Sequence, residues 1–316
     1  MAIPEIILYL IGGSLLLFAG AEGLVRGSSS LAIRLGIKPL VVGLTIVGFA
    51  TSSPELVVSI KAGLLGNSEI VLGNVIGSNI ANIALILGCA ALIRPLKVNR
   101  DVIKKEAPIL IGVSILLVLI LLDGKVGFID GLIFLGGIVA YIVISIKFAK
   151  KETNVDAEKT FADEFQSKFN TTLLILLIVI GAALLVLGAN IFLNGAIALS
   201  KLFGMSDAVI GLTVVAIGTS LPELITSSVA AFRDRADIAI GNAVGSSIFN
   251  ILFILGVTAV IMPITAQGIN YVDLGVMMIT AVILLPMSIG GLRINRVEAM
   301  ILLLGYIIYI YFLLLT

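Results

Sequence analysis

Long apolar runs alternate with short polar segments along the whole chain. Several stretches carry no charged side chain, among them 107–122, 131–146, 169–200, 238–272, 274–292 and 299–316. A membrane-spanning helix needs about 20 mostly apolar residues. The breaks between the runs therefore predict an all-α membrane protein with ten transmembrane helices. These helices are expected near residues 4–25, 38–65, 69–91, 105–122, 127–148, 170–200, 207–232, 237–260, 272–290 and 297–315.

The composition points to the lipid bilayer as the main surrounding of this chain. Of its 316 residues, 59% are apolar and 12% are charged, against about 25% charged in an average soluble domain. The net charge of +1 gives no reason to expect nucleic-acid binding. Histidine is absent and cysteine occurs once, at Cys89, so the chain offers neither a histidine-based catalytic group nor an internal disulfide. We expect no prosthetic group and no obligate protein partner.

The positive charges predict how the ten helices are oriented. The first apolar segment has no Lys or Arg before Arg26, so we expect it to remain as a helix rather than to serve as a signal peptide. If the N-terminus lies outside, the loops on the inner side carry 17 of the 20 Lys and Arg residues, with Arg26 and Arg34 counted in the first of them. The outer loops carry only Lys61, Lys125 and Lys201. This excess inside predicts that both termini are outside.

An internal repeat divides the chain into two halves. Shifted by 168 positions, residues 13–95 align with 181–263 without a gap, and 34 of the 83 pairs are identical. We therefore predict a first five-helix repeat at 1–148, a cytoplasmic connector at 149–169 and a second repeat at 170–316. Five is odd, so the second repeat must enter the membrane from the opposite side. Inverted repeats are typical of secondary transporters, whose substrate site lies near the midplane between the repeats.

Two acidic residues occupy equivalent positions inside apolar segments. Glu55 and Glu223 each follow a proline, in TSSPE and TSLPE. A carboxylate at the centre of a bilayer costs about 2.5–3.5 kcal/mol or more, so a symmetric pair indicates a functional site rather than two structural glutamates. Because proline lacks an N–H and disrupts the turn before it, we expect the second and seventh helices to be broken there. A broken helix that lines a cavity frees carbonyl oxygens to bind cations.

Hydroxyl and amide side chains surround these glutamates in both repeats. We expect eight of them to join the site: Thr51, Ser52, Thr219, Ser220, Ser78, Ser246, Asn82 and Asn250. Each hydroxyl could instead bond to its own helix, and small polar residues also pack membrane helices together. We expect this packing role for Asn74 and Asn242. Carboxylate, hydroxyl and amide oxygens suit hard cations such as Ca²⁺ and Na⁺, and two carboxylates balance one Ca²⁺ or two Na⁺.

The repeated motifs resemble those of the Ca²⁺:cation antiporter superfamily, and most of all the prokaryotic sodium/calcium exchangers. ATSSPEL and GTSLPEL match one family motif, and GNVIGSNIAN and GNAVGSSIFN match the other. The resemblance implies that helices 2, 3, 7 and 8 form the ion site and that helices 1 and 6 slide across it. It also implies the role of each ligand. Glu55 and Glu223 ligate Ca²⁺, Thr51 and Thr219 add main-chain carbonyls, Ser52, Ser78, Ser220 and Ser246 complete Na⁺ sites, and Asn82 and Asn250 lie at the centre.

The function expected from these features is exchange of Ca²⁺ for Na⁺ across a prokaryotic cell membrane. One departure leaves the coupling ion open, because many relatives carry Asp where this chain has Asn250. The alternatives are Ca²⁺/H⁺ exchange and K⁺-assisted exchange. An uncoupled cation channel, with the acidic pair as a selectivity ring, is a further alternative. An intramembrane enzyme is disfavoured, because no paired Asp and no Ser–Lys pair lies at membrane depth.

Overall fold

The structure is a computed structural model that describes residues 2–151, 170–203, 216–266, 270–289 and 292–315. Nearly all of this part is helical. The connector predicted at 149–169 lies mostly outside the described residues, and so does the first part of the helix predicted at 207–232.

Twelve helical segments follow one another in the described residues. They are α1 Ile3–Leu35, α2 Pro39–Thr51, α3 Ser53–Leu64, α4 Ser68–Ile93, α5 Val102–Asp123, α6 Phe128–Lys151, α7 Thr171–Leu202, α8 Ala216–Thr219, α9 Leu221–Phe232, α10 Ala236–Ile261, α11 Tyr271–Ile289 and α12 Arg296–Leu315. Within the described residues, seven helices are long and apolar enough to cross a membrane, or eight if α2 and α3 count as one bent span. Two shorter apolar helices, α9 and α11, accompany them. The chain is thus a mostly helical membrane protein, and the count of ten spans stays a prediction.

The first helix is longer than its apolar pattern suggests. We expected it to end near residue 25, but α1 continues to Leu35 and closes at Gly36, whose φ of 61° is left-handed. Arg26 and Arg34 therefore lie on the helix and not in a loop, which corrects that prediction. A helix of 33 residues is about 50 Å long, whereas the hydrocarbon core is about 30 Å thick. The charged end of α1 can therefore extend beyond the lipid tails without unwinding.

The helix is interrupted at both of the repeated proline motifs. Ser52 separates α2 from α3, which are bent by 44° from each other, and its φ and ψ are −80° and 6°. Ser220 separates α8 from α9 with nearly the same angles, −89° and 8°. Because Pro54 and Pro222 lack an amide hydrogen, they fit the first turn of the helix that follows. Each interruption thus places a new helix N-terminus inside the protein.

Two helices form the centre of the molecule. Of the most apolar 18-residue stretch of each long helix, 72% is buried in α4 and 78% in α10, against 33% or less in the others. On the outside of this centre, α1 packs closely against α7. A Cβ on Gly20 would lie 2.7 Å from the Gly181 carbonyl oxygen, so the two backbones touch where both residues are glycine, as in other membrane helix pairs.

Two short strand pairs link the halves of the chain. β1 (Leu96–Lys97) pairs with β4 (Arg293–Ile294), and β2 (Lys125–Val126) pairs with β3 (Ile264–Thr265), both antiparallel. The register joins Leu96 to Ile294 and Val126 to Ile264. Adding 168 to Leu96 gives Ile264, and subtracting 168 from Ile294 gives Val126. The repeat offset therefore turns one strand pair into the other.

Candidate functional site

The two glutamates lie where the interrupted helices restart. Glu55 is in the first turn of α3 and Glu223 is in the first turn of α9. The two residues are 1% and 2% exposed. The amide hydrogens at a helix N-terminus, and the dipole that ends there, favour negative charge. The break in each helix therefore partly stabilises a carboxylate that would otherwise be costly to bury.

Two serines bring the glutamates of the two halves together. The Ser52 hydroxyl donates to Glu223 Oε1 at 3.1 Å, and the Ser220 hydroxyl lies 3.5 Å from Glu55 Oε1. Each serine belongs to the opposite half from the carboxylate that it contacts. Since Ser52 and Glu55 are only three residues apart, this exchange places both carboxylates in one buried region.

The central helices widen beside this region. Asn82 lies in the π-helical turn Ala81–Ile86 of α4, and Asn250 begins the π-helical turn Asn250–Leu255 of α10. Such turns occur mostly as single bulges, often at functional sites. Asn82 Nδ2 donates to the Ser247 hydroxyl at 3.3 Å, and Asn250 Nδ2 donates to Asn79 Oδ1 at 3.1 Å. Sequence reasoning named neither Asn79 nor Ser247, although they occupy equivalent positions in the repeat.

A second pair of asparagines holds the backbone of the glutamates. Asn74 Nδ2 lies 3.2 Å from the Glu55 carbonyl oxygen, and Asn242 Nδ2 lies 3.2 Å from the Glu223 carbonyl oxygen. The same amides donate to two further hydroxyls, at 3.0 Å in the first half and 2.9 Å in the second. Those hydroxyls belong to Ser59 and Ser227, which sequence reasoning also missed although the two are identical in the repeat.

The threonine and serine ligand candidates differ between the halves. Thr51 Oγ1 lies 2.9 Å from Asn242 Oδ1 and 3.3 Å from the Ser246 hydroxyl, so these groups form one buried cluster. Their counterparts Thr219 and Ser78 instead line a cavity of about 390 Å³. Ser220 and Asn74 line the same cavity, and Glu69 and Asp273 add two carboxylates to its wall.

Four buried oxygens in this region accept no hydrogen bond from any described residue. They are one carboxylate oxygen of each glutamate and one amide oxygen of each central asparagine: Glu55 Oε2, Glu223 Oε2, Asn82 Oδ1 and Asn250 Oδ1. Buried polar atoms normally have a partner, and each exception needs an explanation. Two carboxylate and two amide oxygens are ligands that a hard cation prefers. Among the described residues, no group of three or more His, Cys, Asp or Glu side chains could hold a metal ion.

A family model and several known proteins are similar to this chain over most of its length. The family model described as sodium/calcium exchanger protein matches twice, at residues 5–147 and 173–315. The putative antiporter CaxA of Alkalimonas amylolytica is 41% identical over 97% of this chain and 98% of its own length. The sodium/calcium exchanger MaX1 of Methanosarcina acetivorans is 31% identical over 96% of this chain and 97% of its own length.

A solved structure is similar over nearly the full length. The sodium-calcium exchanger NCX_Mj, soaked with 2.5 mM Na⁺ and 0.1 mM Ca²⁺, superposes with a TM-score of 0.84 at 31% sequence identity. The similarity covers 98% of this chain and 99% of that chain.

Proposed function

Because the chain belongs to the sodium/calcium exchanger protein family, we propose that it is a secondary active antiporter that exchanges Ca²⁺ for Na⁺. Members of this family are transporters and carry ions as substrates. The two cations would occupy one site by turns as the site opens to one side of the membrane and then to the other.

The observation that carries this proposal is the set of four unpartnered buried oxygens from Glu55, Glu223, Asn82 and Asn250. An ionised carboxylate without a partner is costly to bury, and a bound cation removes that cost. One Ca²⁺ or two Na⁺ balance the two negative charges. Because the empty site is unfavourable, the protein would switch the site from one side of the membrane to the other only with ions bound. This requirement couples the two fluxes.

The flanking side chains would complete the ion sites. Thr51 and Thr219 stand next to the interruptions at Ser52 and Ser220, where main-chain carbonyls can leave the helical pattern. We assign these carbonyls to Ca²⁺. The hydroxyls of four serines, Ser52, Ser78, Ser220 and Ser246, would bind Na⁺ on either side of it.

We further propose ten spans arranged as two inverted repeats, 1–148 and 170–316, joined by a cytoplasmic connector at 149–169. Two observations support this arrangement. The two segments matched by the family model start at 5 and 173 and end at 147 and 315, which is the same offset of 168. The strand pairs β1–β4 and β2–β3 interchange under that offset. The excess of positive charge in one set of loops favours both termini outside, and the bacterial and archaeal relatives favour a prokaryotic cell membrane.

The cavity beside Ser78, Thr219 and Ser220 would be the route to the site from the outer side. Its wall carries Glu69 and Asp273, and no Lys or Arg occurs among its described lining residues. A cleft lined by charges of one sign attracts ions of the other sign. The tightly packed pair α1 and α7 would then slide over the central helices to close this route.

Flux measurements in liposomes test the proposal. Purified protein should take up ⁴⁵Ca²⁺ when a Na⁺ gradient alone is imposed, with Na⁺ moving the opposite way. Uptake that follows a pH gradient and ignores Na⁺ would indicate Ca²⁺/H⁺ exchange, and uptake that also needs K⁺ would indicate K⁺-assisted exchange. Single-channel currents in a planar bilayer would indicate an uncoupled channel.

A matched pair of variants keeps this test specific. Glu55→Gln removes one buried charge and should abolish Na⁺-driven uptake. Glu5→Gln makes the same chemical change at an exposed position of α1 and should leave uptake unchanged. Equal activity of the two variants would contradict the assignment of the site.

A further inference from the structure

A second cavity, of about 240 Å³, lies at the end of α2 that is remote from the ion site. Four acidic or basic side chains line it: Lys38, Asp101, Lys105 and Glu106. Lys38 Nζ lies 2.7 Å from Asp101 Oδ2, and Lys105 Nζ lies 3.3 Å from Asp101 Oδ1. Asp101 therefore bridges two ammonium groups, one from the residue before α2 and one from the first turn of α5.

Asp101 stays ionised at neutral pH. Burial alone would raise the pKa of Asp101, but hydrogen bonds and charge attraction from Lys38 and Lys105 outweigh it and lower that pKa below its ordinary value of 3.8. Lys38, Asp101 and Lys105 by themselves therefore carry a net charge of +1. Glu106 also lines the cavity, and its carboxylate accepts a hydrogen bond from the buried Tyr141 hydroxyl at 3.0 Å.

This cavity and the one beside the ion site occupy equivalent places in the two halves. Lys105 and Ser145 line the second cavity. Their equivalents at an offset of 168, Asp273 and Leu313, line the cavity beside the ion site. The same offset turns Tyr141 into Tyr309, whose hydroxyl donates to Asp273 Oδ1 at 2.9 Å. In both halves this tyrosine donates a hydrogen bond to a carboxylate that lines the cavity.

A single helix connects the second cavity to the ion site. Lys38 immediately precedes α2, and Thr51 ends it beside Ser246. Thirteen helical residues span about 20 Å. Along this length α2 packs against α10, where a Cβ on Gly241 would lie 2.8 Å from the Leu40 carbonyl oxygen. The beginning of α2, which borders the cavity, is therefore packed directly on α10.

The two cavities differ in charge. The described lining of the outer cavity carries Glu69 and Asp273 with no basic residue, whereas the inner one carries Lys38 and Lys105 against Asp101 and Glu106. We propose that the Lys38–Asp101–Lys105 cavity is the inner entrance of the ion path and that its two lysines reduce the apparent affinity for cations arriving from the inside. This rests on the proposed function, and it makes Lys38 and Lys105 determinants of side-specific affinity that do not touch the bound ion.

Removing one lysine from the entrance tests this proposal. Lys105→Gln should lower the half-saturating Ca²⁺ concentration for transport from the inner face about three- to tenfold, as expected for one nearby charge in a partly aqueous mouth. The value measured from the outer face should not change. Raising the ionic strength should shrink the difference because salt screens exposed charges. Lys104→Gln, at an exposed position next to it, should alter neither face.

Right-side-out and inside-out vesicles separate the two faces. An equal shift at both faces, or no shift at the inner face, would overturn the proposal while leaving exchange itself intact. Absence of Na⁺-driven Ca²⁺ flux in the unsubstituted protein would instead overturn the proposed function. The two failures are therefore distinguishable.

A labelling experiment tests the entrance without any transport. In a Cys89→Ala background, Ser145→Cys places one thiol in the cavity wall. Membrane-impermeant methanethiosulfonate reagents added to the inner face should modify it, the anionic reagent faster than the cationic one. Adding Lys105→Gln should reduce that preference severalfold. Modification from the outer face only, no modification at all, or equal rates for both charges would overturn the proposal.

Discussion

Gly245 gives the sharpest test of how the inner half of the site is closed. A Cβ at this position would lie 2.7 Å from Leu44 Cα and 2.8 Å from the Leu44 carbonyl carbon. Carbon atoms pack at about 3.5–4.0 Å, so Gly245→Ala has to push α2 away from α10 by roughly 0.7–1 Å. Thr51 sits on the displaced helix, 3.3 Å from the Ser246 hydroxyl. A shift of that size would lengthen the distance between the Thr51 and Ser246 hydroxyls beyond hydrogen-bond range.

Two effects should follow from this displacement. Overpacking of a close-packed core costs about 1–3 kcal/mol, so the free energy of unfolding should fall by that amount and the Tm by several degrees. The broken Thr51 contact should also weaken Ca²⁺ binding by about tenfold, which corresponds to about 1.4 kcal/mol. The Tm is measured by thermal size-exclusion analysis in detergent, and the affinity by calorimetric Ca²⁺ titration.

Gly77→Ala is the matched control, because Gly77 is the repeat equivalent of Gly245. A Cβ at Gly77 would meet no atom of the described residues within 4 Å. Alanine favours a helix over glycine by up to about 1 kcal/mol, so this variant should be neutral or slightly stabilised. If Gly245→Ala and Gly77→Ala gave the same Tm and the same Ca²⁺ affinity, the account of the closed inner half would be wrong.

Three further substitutions have defined outcomes. Ser52→Ala removes the hydrogen bond to Glu223 and should weaken Ca²⁺ binding about tenfold or more by calorimetric titration, since bonds to charged groups contribute about 1.5–3 kcal/mol. Ser53→Ala is the control and should have no effect, because this exposed hydroxyl donates to the Phe49 carbonyl oxygen of α2 and not to a glutamate. Glu22→Gln weakens the two-point contact between Glu22 and Arg233 at the end of α9. The Tm should fall by no more than a few degrees, because partly exposed ion pairs contribute about 0–1 kcal/mol. A large loss of folded protein would contradict this expectation. Gly20→Val should separate α1 from α7 and reduce the yield of folded protein in size-exclusion chromatography, and unchanged yield would show that the two backbones do not touch there.

Glu55 and Glu223 stand out in the sequence because burying a carboxylate in lipid is costly, and the structure buries both of them between the halves. The proline before each glutamate also indicated where the helix restarts. Helix ends were predicted less well, and α1 shows why. Hydropathy marks where a segment leaves the lipid, whereas the helix ends at Gly36, where the backbone turns left-handed.

Contacts between the halves could not be read from the pattern along one half. Asn79 and Ser247 meet the central asparagines only because α4 and α10 pack side by side. The π-helical turns at Asn82 and Asn250 could not be predicted either, since the sequences ANIALI and NILFIL carry no marker that distinguishes them from an ordinary apolar helix. The repeat offset was the one signal that would have paired Ser59 with Ser227 in advance.

The two strand pairs have a consequence for the origin of this chain. Each half contributes one strand to each of the two pairs. The strands of the two halves occupy the same two positions of the repeat. A gene that encoded one half alone would yield a protein whose copies, inserted in opposite directions, could build both pairs with each other. Fusing two such genes fixes one copy in each direction. After the fusion, mutation can change the side of the protein at one membrane face without changing the side at the other. The difference between the equivalent residues Lys105 and Asp273 illustrates this.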